Sequence, residues 1–255
     1  MKSKLIGLLI ALLVPIAFFL FFDHFDYFQA QGRKNLPKLP RYGALPPDSQ
    51  QPNKAQANDS LWHTIPDFAF TAHTGKPVTR QTMTDKIVVT DFFFTKCPGI
   101  CPKMTSQLKR VQKEFLTEGD VLILSHTVDP ARDSVETLQT YAGLYEADSS
   151  MWFFLTGDKP ELYEIARKGY FVSATEGNGG EEDFIHTEKF VLVDKSGVIR
   201  GYYDGTDSIA VNKLLTDIKL LKLEYPMKKK EMVLDRERSA KEAEKSKTLP
   251  DNNNN

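Results

Sequence analysis

The stretch IVVTDFFFTKCPGICPKM, residues 87–104, contains both cysteines of the 255-residue chain, Cys97 and Cys101. Its first part, Ile87 to Phe94, is rich in β-branched and aromatic residues and predicts a buried strand. Pro102 fits the first turn of a helix, where a backbone N–H has no helical partner to lose. The two cysteines are therefore predicted to lie between the end of a buried strand and the start of a helix.

Strand patterns alternate with helical patterns along the rest of the chain. Before the cysteine stretch, Phe68 and Phe70 alternate with other residues and Thr74-Gly75 predicts a turn, so we expect a small hairpin. Further strands are predicted at residues 121–128, at residues 151–157 and, as a pair, within residues 189–205. This alternation predicts an α/β domain with an N-terminal hairpin.

Aspartates mark the predicted starts of two helices after the second buried strand. Asp133 precedes a helical pattern that ends near Tyr145, and Asp158 precedes a second pattern with Pro160 in its first turn. An aspartate side chain can accept hydrogen bonds from the free N–H groups of a first turn, so both aspartates are predicted N-caps.

The predicted domain spans residues 62–223. Residues 23–61 are predicted to be a linker, because Pro, Gln and Asn dominate residues 31–60 and apolar periodicity is absent there. Residues 224–255 are charged, then polar, and close with four asparagines. We expect this tail to be disordered at its end.

The N-terminus predicts a membrane anchor. Residues 5–22 carry no charge, and a hydrophobic run of about 18 residues is long enough to span a bilayer. The lysines within residues 1–4 predict that this stub stays in the cytoplasm. A cleaved signal peptide is the alternative, but Phe28 stands two residues before Ala30, which makes a poor cleavage site. We therefore expect an uncleaved single-pass anchor in a bacterial inner membrane, with the domain facing the periplasm.

Composition excludes some classes of function. The formal net charge of −1 gives no sign of nucleic-acid binding. Two cysteines are too few for a disulfide-stapled scaffold, so the fold must depend on a hydrophobic core. An exported domain also lies where a disulfide can form and persist.

Three interpretations of Cys97 and Cys101 stay open on the residues alone. A structural disulfide would close a very small loop and therefore stabilise the fold little. A thiol–disulfide redox couple is compatible with the pair, although the familiar redox motif has two intervening residues. A metal site of two sulfurs and one imidazole suits copper, whereas structural zinc usually takes four protein ligands. Cys101 is predicted to lie near a helix N-cap, where its thiolate would be stabilised.

A copper site of this kind needs a histidine. His186 lies in the long Gly- and acid-rich stretch EGNGGEEDFIHTEKFVLV, residues 176–193, directly before a predicted strand. Long loops inside compact domains are usually functional, which makes His186 a candidate ligand. The alternative on the residues alone is a solvent-exposed side chain, as is usual for a single histidine in a loop. The other histidines are His24, His63, His73 and His126. His126 falls within a strand pattern and is predicted to be a core residue.

The chain resembles the SCO/SenC family from about Ile65 to Leu221. The stretches DFFFTKCPGICPKM, SHTVDPARDSVETLQTYA, WFFLTG and HTEKFVLVDKSGVIRGYYDG follow one another in the order seen in that family. The resemblance implies a thioredoxin-like fold preceded by one transmembrane helix. It also implies a copper protein that acts in the assembly of cytochrome c oxidase.

On this resemblance, the expected copper ligands are Cys97, Cys101 and His186, and the metal is held as Cu(I) or Cu(II). The DPxRD segment of the family matches residues 129–133, where a turn and a helix cap would explain the same residues. The family often has a histidine before the first cysteine, whereas this chain has Lys96.

The function that the resemblance implies is binding and delivery of copper to the dinuclear copper site of oxidase subunit II, without enzymatic turnover. An upstream copper donor or thiol reductant is a second expected partner. The alternative from the enzyme class is a thiol–disulfide oxidoreductase that reduces the acceptor's cysteines, which would use Cys97 and Cys101 but not His186. A peroxidase is disfavoured, because that chemistry needs a single activated thiol.

Overall fold

The computed structural model describes residues 37–43, 62–172 and 187–225. The chain divides into one unit of residues 35–222 and a second of residues 1–34 and 223–255. Only residues 223–225 of the second unit are among those described. The predicted anchor, residues 5–22, lies outside the described residues, and no helix within the described ranges is long and apolar enough to cross a bilayer.

Seven strands of the described residues form one sheet in the order β2-β1-β5-β4-β3-β6-β7. The strands are β1 (Ala69–Ala72), β2 (Pro77–Thr79), β3 (Ile87–Phe93), β4 (Val121–Thr127), β5 (Trp152–Thr156), β6 (Lys189–Val193) and β7 (Ile199–Asp204). The helices are α1 (Ile100–Phe115), α2 (Val135–Leu144), α3 (Lys159–Glu164) and α4 (Ser208–Glu224). A π-helical turn, Ile165–Gly169, continues α3.

The centre of the sheet is parallel and its margins are antiparallel. β3 pairs in parallel with β4, and β4 with β5, whereas β1, β6 and β7 pair antiparallel with their neighbours. All seven residues of β3 are buried. A strand covered on both faces needs a nearly continuous apolar run, which is the pattern that predicted this strand. The predicted α/β class and the N-terminal hairpin, β1–β2, are confirmed.

Neighbouring residues at the end of β3 face two different halves of the core. Phe92 packs against Tyr170, with ring centroids 5.8 Å apart. Its neighbour Phe93 packs against Tyr141 of α2, with ring centroids 5.3 Å apart. This alternation is the two-residue period of a strand. As a result, the side chains of Phe92 and Phe93 pack against different groups on the two faces of the sheet.

The two predicted helix caps have different outcomes. Asp158 caps α3, because its side chain accepts from the N–H of Glu161. The prediction that Asp133 caps α2 is wrong, since the cap is Ser134, whose Oγ accepts from the N–H of Thr137 at 3.3 Å. Asp133 is buried with two other partners, which are described with the cysteine site.

Residues 37–43, within the predicted linker, lie against β7. The Arg200 guanidinium donates to the carbonyl oxygens of Pro40 at 3.0 Å and Leu39 at 2.8 Å. The N–H of Tyr42 donates to the carbonyl oxygen of Ile199 at 3.0 Å. This part of the chain is therefore fastened to the domain, and we call residues 37–43 the strap.

Candidate metal and redox site at the two cysteines

The two cysteines lie where β3 passes into α1. Cys97 is in the connecting turn, and its N–H donates to the carbonyl oxygen of Phe94 at 3.2 Å. Gly99 is the N-cap of α1, so Cys101 lies in the first helical turn. The predicted position between strand and helix is confirmed. Both cysteines are free thiols, Cys97 partly exposed and Cys101 buried.

The two thiols are electrostatically unequal. Burial acts to raise the pKa of Cys97, but hydrogen bonds from the Cys101 thiol and from the first N–H groups of α1 outweigh burial and hold this pKa below its ordinary value. Burial raises the pKa of Cys101 to about 12, and the hydrogen bond that it donates to Cys97 acts in the same direction. The thiolate therefore forms at the outer cysteine.

This result corrects the prediction that the thiolate of Cys101 is the stabilised one. The free N–H groups at the helix start point outward toward Cys97, which precedes the helix. Cys101 instead lies inside the first turn with only 3% of its surface exposed. Desolvation of the charged form is the largest effect on a thiol in that position.

Both cysteines line a cavity of about 230 Å³. Its walls are residues 92–94, the turn 97–101, Val128 and Thr187. The lining is mainly aromatic and aliphatic, and the cavity opens to the surface beside the partly exposed Cys97. Thr187 is the first described residue after His186 in the chain.

Asp133 holds the turn that leads to Cys97. Its carboxylate accepts from the hydroxyl of Thr95 at 2.5 Å and from the Thr95 N–H at 3.2 Å. It also accepts from the hydroxyl of Thr127 at the end of β4. With 1% of its surface exposed, Asp133 ties the cysteine turn to the neighbouring strand. Sequence reasoning matched Asp133 to the DPxRD segment but missed this role.

The DPxRD segment has a second, more exposed aspartate. The N–H of Asp129 donates to the Thr127 hydroxyl at 3.0 Å. The side chain of Arg132 is 65% exposed and lies 3.5 Å from the Asp129 carboxylate. Asp129 therefore shapes the turn beside the site, and the described contacts do not bring its carboxylate to the cysteines.

None of the described histidines lines the cavity. His63 Nε2 lies 2.9 Å from the carbonyl oxygen of Gly169, and His73 Nδ1 accepts from the N–H of Phe154 at 3.2 Å. His126 is fully buried in β4, which confirms it as a core residue. His24 and His186 lie outside the described residues. Within the described ranges, no three His, Cys, Asp or Glu side chains cluster as metal ligands do.

The sequence matches a known family over most of the described domain. The model of the SCO1/SenC family matches residues 56–221. The SCO1 protein homolog of Bacillus subtilis (strain 168) is 32% identical over 166 residues, which cover 64% of this chain and 86% of that protein. A putative copper-binding protein of Stutzerimonas stutzeri is 31% identical over 142 residues, which cover 54% of this chain and 68% of that protein.

A solved structure supports the same relationship. BsSco is described as a member of the Sco family of cytochrome c oxidase assembly proteins in which a disulfide switch was identified. It is 30% identical, with a TM-score of 0.54 over 62% of this chain and 93% of that chain. The α/β, thioredoxin-like arrangement implied by the resemblance is therefore the observed fold.

Proposed function

This chain belongs to the SCO1/SenC family, and from that premise we propose that it binds one copper ion and delivers it to the dinuclear copper site of oxidase subunit II. The observation that carries this proposal is the shared cavity. Two free thiols, Cys97 and Cys101, line it together with Thr187, the residue next to His186.

The proposed ligands are Cys97, Cys101 and His186. Consecutive Cα atoms are about 3.8 Å apart across a trans peptide, so a cavity wall at Thr187 supports His186 as the third ligand. Two thiolates suit Cu(I), and an imidazole adds a ligand that also suits Cu(II). The similarity to a putative copper-binding protein agrees with this donor set.

The unequal exposure of the thiols supports delivery by ligand exchange. Cys97 is partly exposed and carries the lowered pKa, so its sulfur is the one that an incoming ligand can replace first. Cys101 is buried and would keep the ion until the acceptor's own sulfur and imidazole ligands have bound it.

Copper binding should also depend on the redox state of the cysteines. Copper binds the two deprotonated sulfurs, and a Cys97–Cys101 disulfide contains no thiolate. The disulfide switch named for BsSco concerns a relative that is 30% identical to this chain. We infer that an upstream reductant acts on the disulfide form, and that the copper donor then meets the reduced form.

A thiol–disulfide oxidoreductase is the second candidate function. The lowered pKa of the outer cysteine beside a buried inner one is an arrangement that thiol exchange can also use. That function would reduce the acceptor's cysteines and would need no histidine. His186 therefore separates the two functions.

We expect His186→Ala to keep dithiol exchange with a test disulfide but to fail in oxidase assembly. The mutation removes one imidazole and leaves both thiols in place, so it should weaken Cu(II) binding strongly and Cu(I) binding less. The measurement is oxidase activity in membranes of cells that lack the wild-type protein.

Cys97→Ser is the matched control and should lose both properties. Normal oxidase activity with His186→Ala, together with its loss in Cys97→Ser, would contradict copper delivery. The thiol reductase would then be the better account of the same site.

The proposed location is the bacterial inner membrane, with residues 5–22 retained as an anchor and the domain in the periplasm. The uncharged run behind two lysines is the supporting observation. We expect N-terminal sequencing of protein from membranes to find the apolar segment still attached. A mature chain that begins near residue 31 would show instead that the segment is a cleaved signal peptide.

A further inference from the structure

His126 lies in an aromatic cage (Phe68, Phe70, Phe92 and Tyr170). Its ring stacks on Phe92 with centroids 5.1 Å apart at 21° and meets Phe70 edge-on at 5.6 Å. Tyr170 and Phe68 complete the cage at 5.6 and 6.2 Å. None of the surface of His126 is exposed. The imidazole is therefore enclosed by π faces and edges.

The polar atoms inside this cage are poorly satisfied. Among the described residues, no side chain or backbone group forms a well-formed hydrogen bond with either ring nitrogen of His126, and the buried hydroxyls of Thr90 and Tyr170 likewise have none. A buried polar atom without a partner costs about 1–3 kcal/mol, and more if it is charged. The cage can therefore hold the neutral imidazole but is a poor environment for the imidazolium.

Among the described side chains that contact the ring of His126, none is a carboxylate that could pair with an imidazolium. Phe68 and Phe70 face the ring from β1 and the residues before it, Leu155 pairs with His126 from β5, and Phe92 covers it from β3. Tyr170, after the π-helical turn, is the titratable side chain among the described ring contacts. Asp91 follows the alternation of β3 to the opposite face, where it pairs with Ser125.

The charge states agree with this geometry. Burial lowers the pKa of His126 to about 3, and the backbone of Leu124 and Asp91 acts in the opposite direction without offsetting burial. Burial raises the pKa of Tyr170 to about 12, so its phenol stays neutral in acid. The charge of Arg80 acts on the pKa of that phenol in the opposite direction to burial.

The cage is joined directly to the cysteine site. Phe92 is the cross-strand partner of His126, stacks on its ring, and also lines the cavity that contains Cys97 and Cys101. Val128, two residues after His126, lines the same cavity. One wall of the site is thus supported from behind by the imidazole.

We propose that His126 is an acid-sensitive positioning residue, whose protonation favours opening of the β3–β4 wall and exposes Cys101. The proposal does not depend on copper delivery, because it concerns access to the buried thiol under either function. The acid response comes from the imidazole of His126, and it is separate from the titration of the two thiols.

The sign of the effect follows from linkage. The closed wall holds His126 neutral, whereas an open wall returns it to water and to an ordinary pKa of about 6.5. Opening therefore binds a proton below that pH. The equilibrium constant for opening should stay level above pH 7 and should rise by up to about tenfold per pH unit between pH 6 and pH 4.

The test uses the full chain with Cys97→Ser, so that Cys101 is the single thiol. Its rate of reaction with 4,4′-dithiodipyridine is measured from pH 7.5 to pH 4, with and without His126→Phe. At each pH, the rate with histidine is divided by the rate with the substitution, which cancels the pH dependence of the thiol and of the reagent. We expect this ratio to rise at least tenfold between pH 7.5 and pH 4.5, because phenylalanine cannot take up the proton.

Two further variants serve as a control and as a substitute. His63→Phe changes a half-buried histidine outside the cage and should leave the pH dependence of the rate unaltered. His126→Leu replaces His126→Phe if the larger ring prevents folding. A rate ratio that stays constant from pH 7.5 to pH 4 would overturn the proposal.

Discussion

Replacing Arg200 with methionine will lower the free energy of unfolding by about 3–5 kcal/mol. Arg200 is 2% exposed, and its Nη1 lies 3.0 Å from Oδ2 of the buried Asp194. Methionine would leave that carboxylate without its cation, and removing one partner of a buried ion pair costs far more than removing a surface pair. The carbonyl oxygens of Pro40 and Leu39 would lose their donors as well.

Urea unfolding followed by circular dichroism measures this loss. Lys168→Met is the matched control, because Lys168 and Glu164 form a pair whose side chains are 77% and 63% exposed. Exposed pairs contribute little to stability, so the control should unfold near the wild-type midpoint.

We also expect trypsin to cut the strap of Arg200→Met faster than that of the wild type, at Lys38 or Arg41. A loss below about 1 kcal/mol would contradict a large contribution of the buried Arg200–Asp194 pair to stability.

Local pattern was sufficient to predict the strand that carries the site. Ile87 to Phe93 is buried throughout, and the apolar run in the sequence ends within one residue of the strand. The turn, the cysteines and the first turn of α1 follow from the same stretch, because proline and glycine restrict where a helix can begin. Asp158 was predictable as a cap for the same reason, since its partner is three residues away.

Contacts between distant residues were not predictable from local pattern. Asp133 binds Thr95, 38 residues earlier, although its sequence neighbours suggest a helix cap. Arg200 fastens the strap across 160 residues, within a segment whose composition resembles a linker. In both cases the partner of a buried charged side chain lies far away in the sequence. Hydrophobic periodicity carries no information about such a partner.

The state of the thiols likewise depends on tertiary burial. A helix start favours thiolates in general, but which cysteine benefits depends on the direction of the N–H groups and on desolvation. The structure assigns the lowered pKa to Cys97 and the raised one to Cys101. His186 remains a prediction from the family resemblance, supported by the cavity wall at Thr187.

The reduced protein should retain one copper ion per chain, and the oxidised protein almost none. Cys97 and Cys101 are the only cysteines of the chain, so no other thiolates can replace them. A disulfide between them would remove both sulfur ligands at once and leave His186 as a single imidazole. The expected difference in bound copper between the reduced and the oxidised protein is therefore nearly complete.

Elemental analysis tests this central claim most directly. Protein is either reduced or oxidised, incubated with excess copper, desalted, and its copper content is compared with its concentration. We predict about one copper per chain for the reduced protein and close to zero for the oxidised protein, in line with a site made from two thiolates. Equal retention of copper by the two forms would contradict a thiolate site at Cys97 and Cys101.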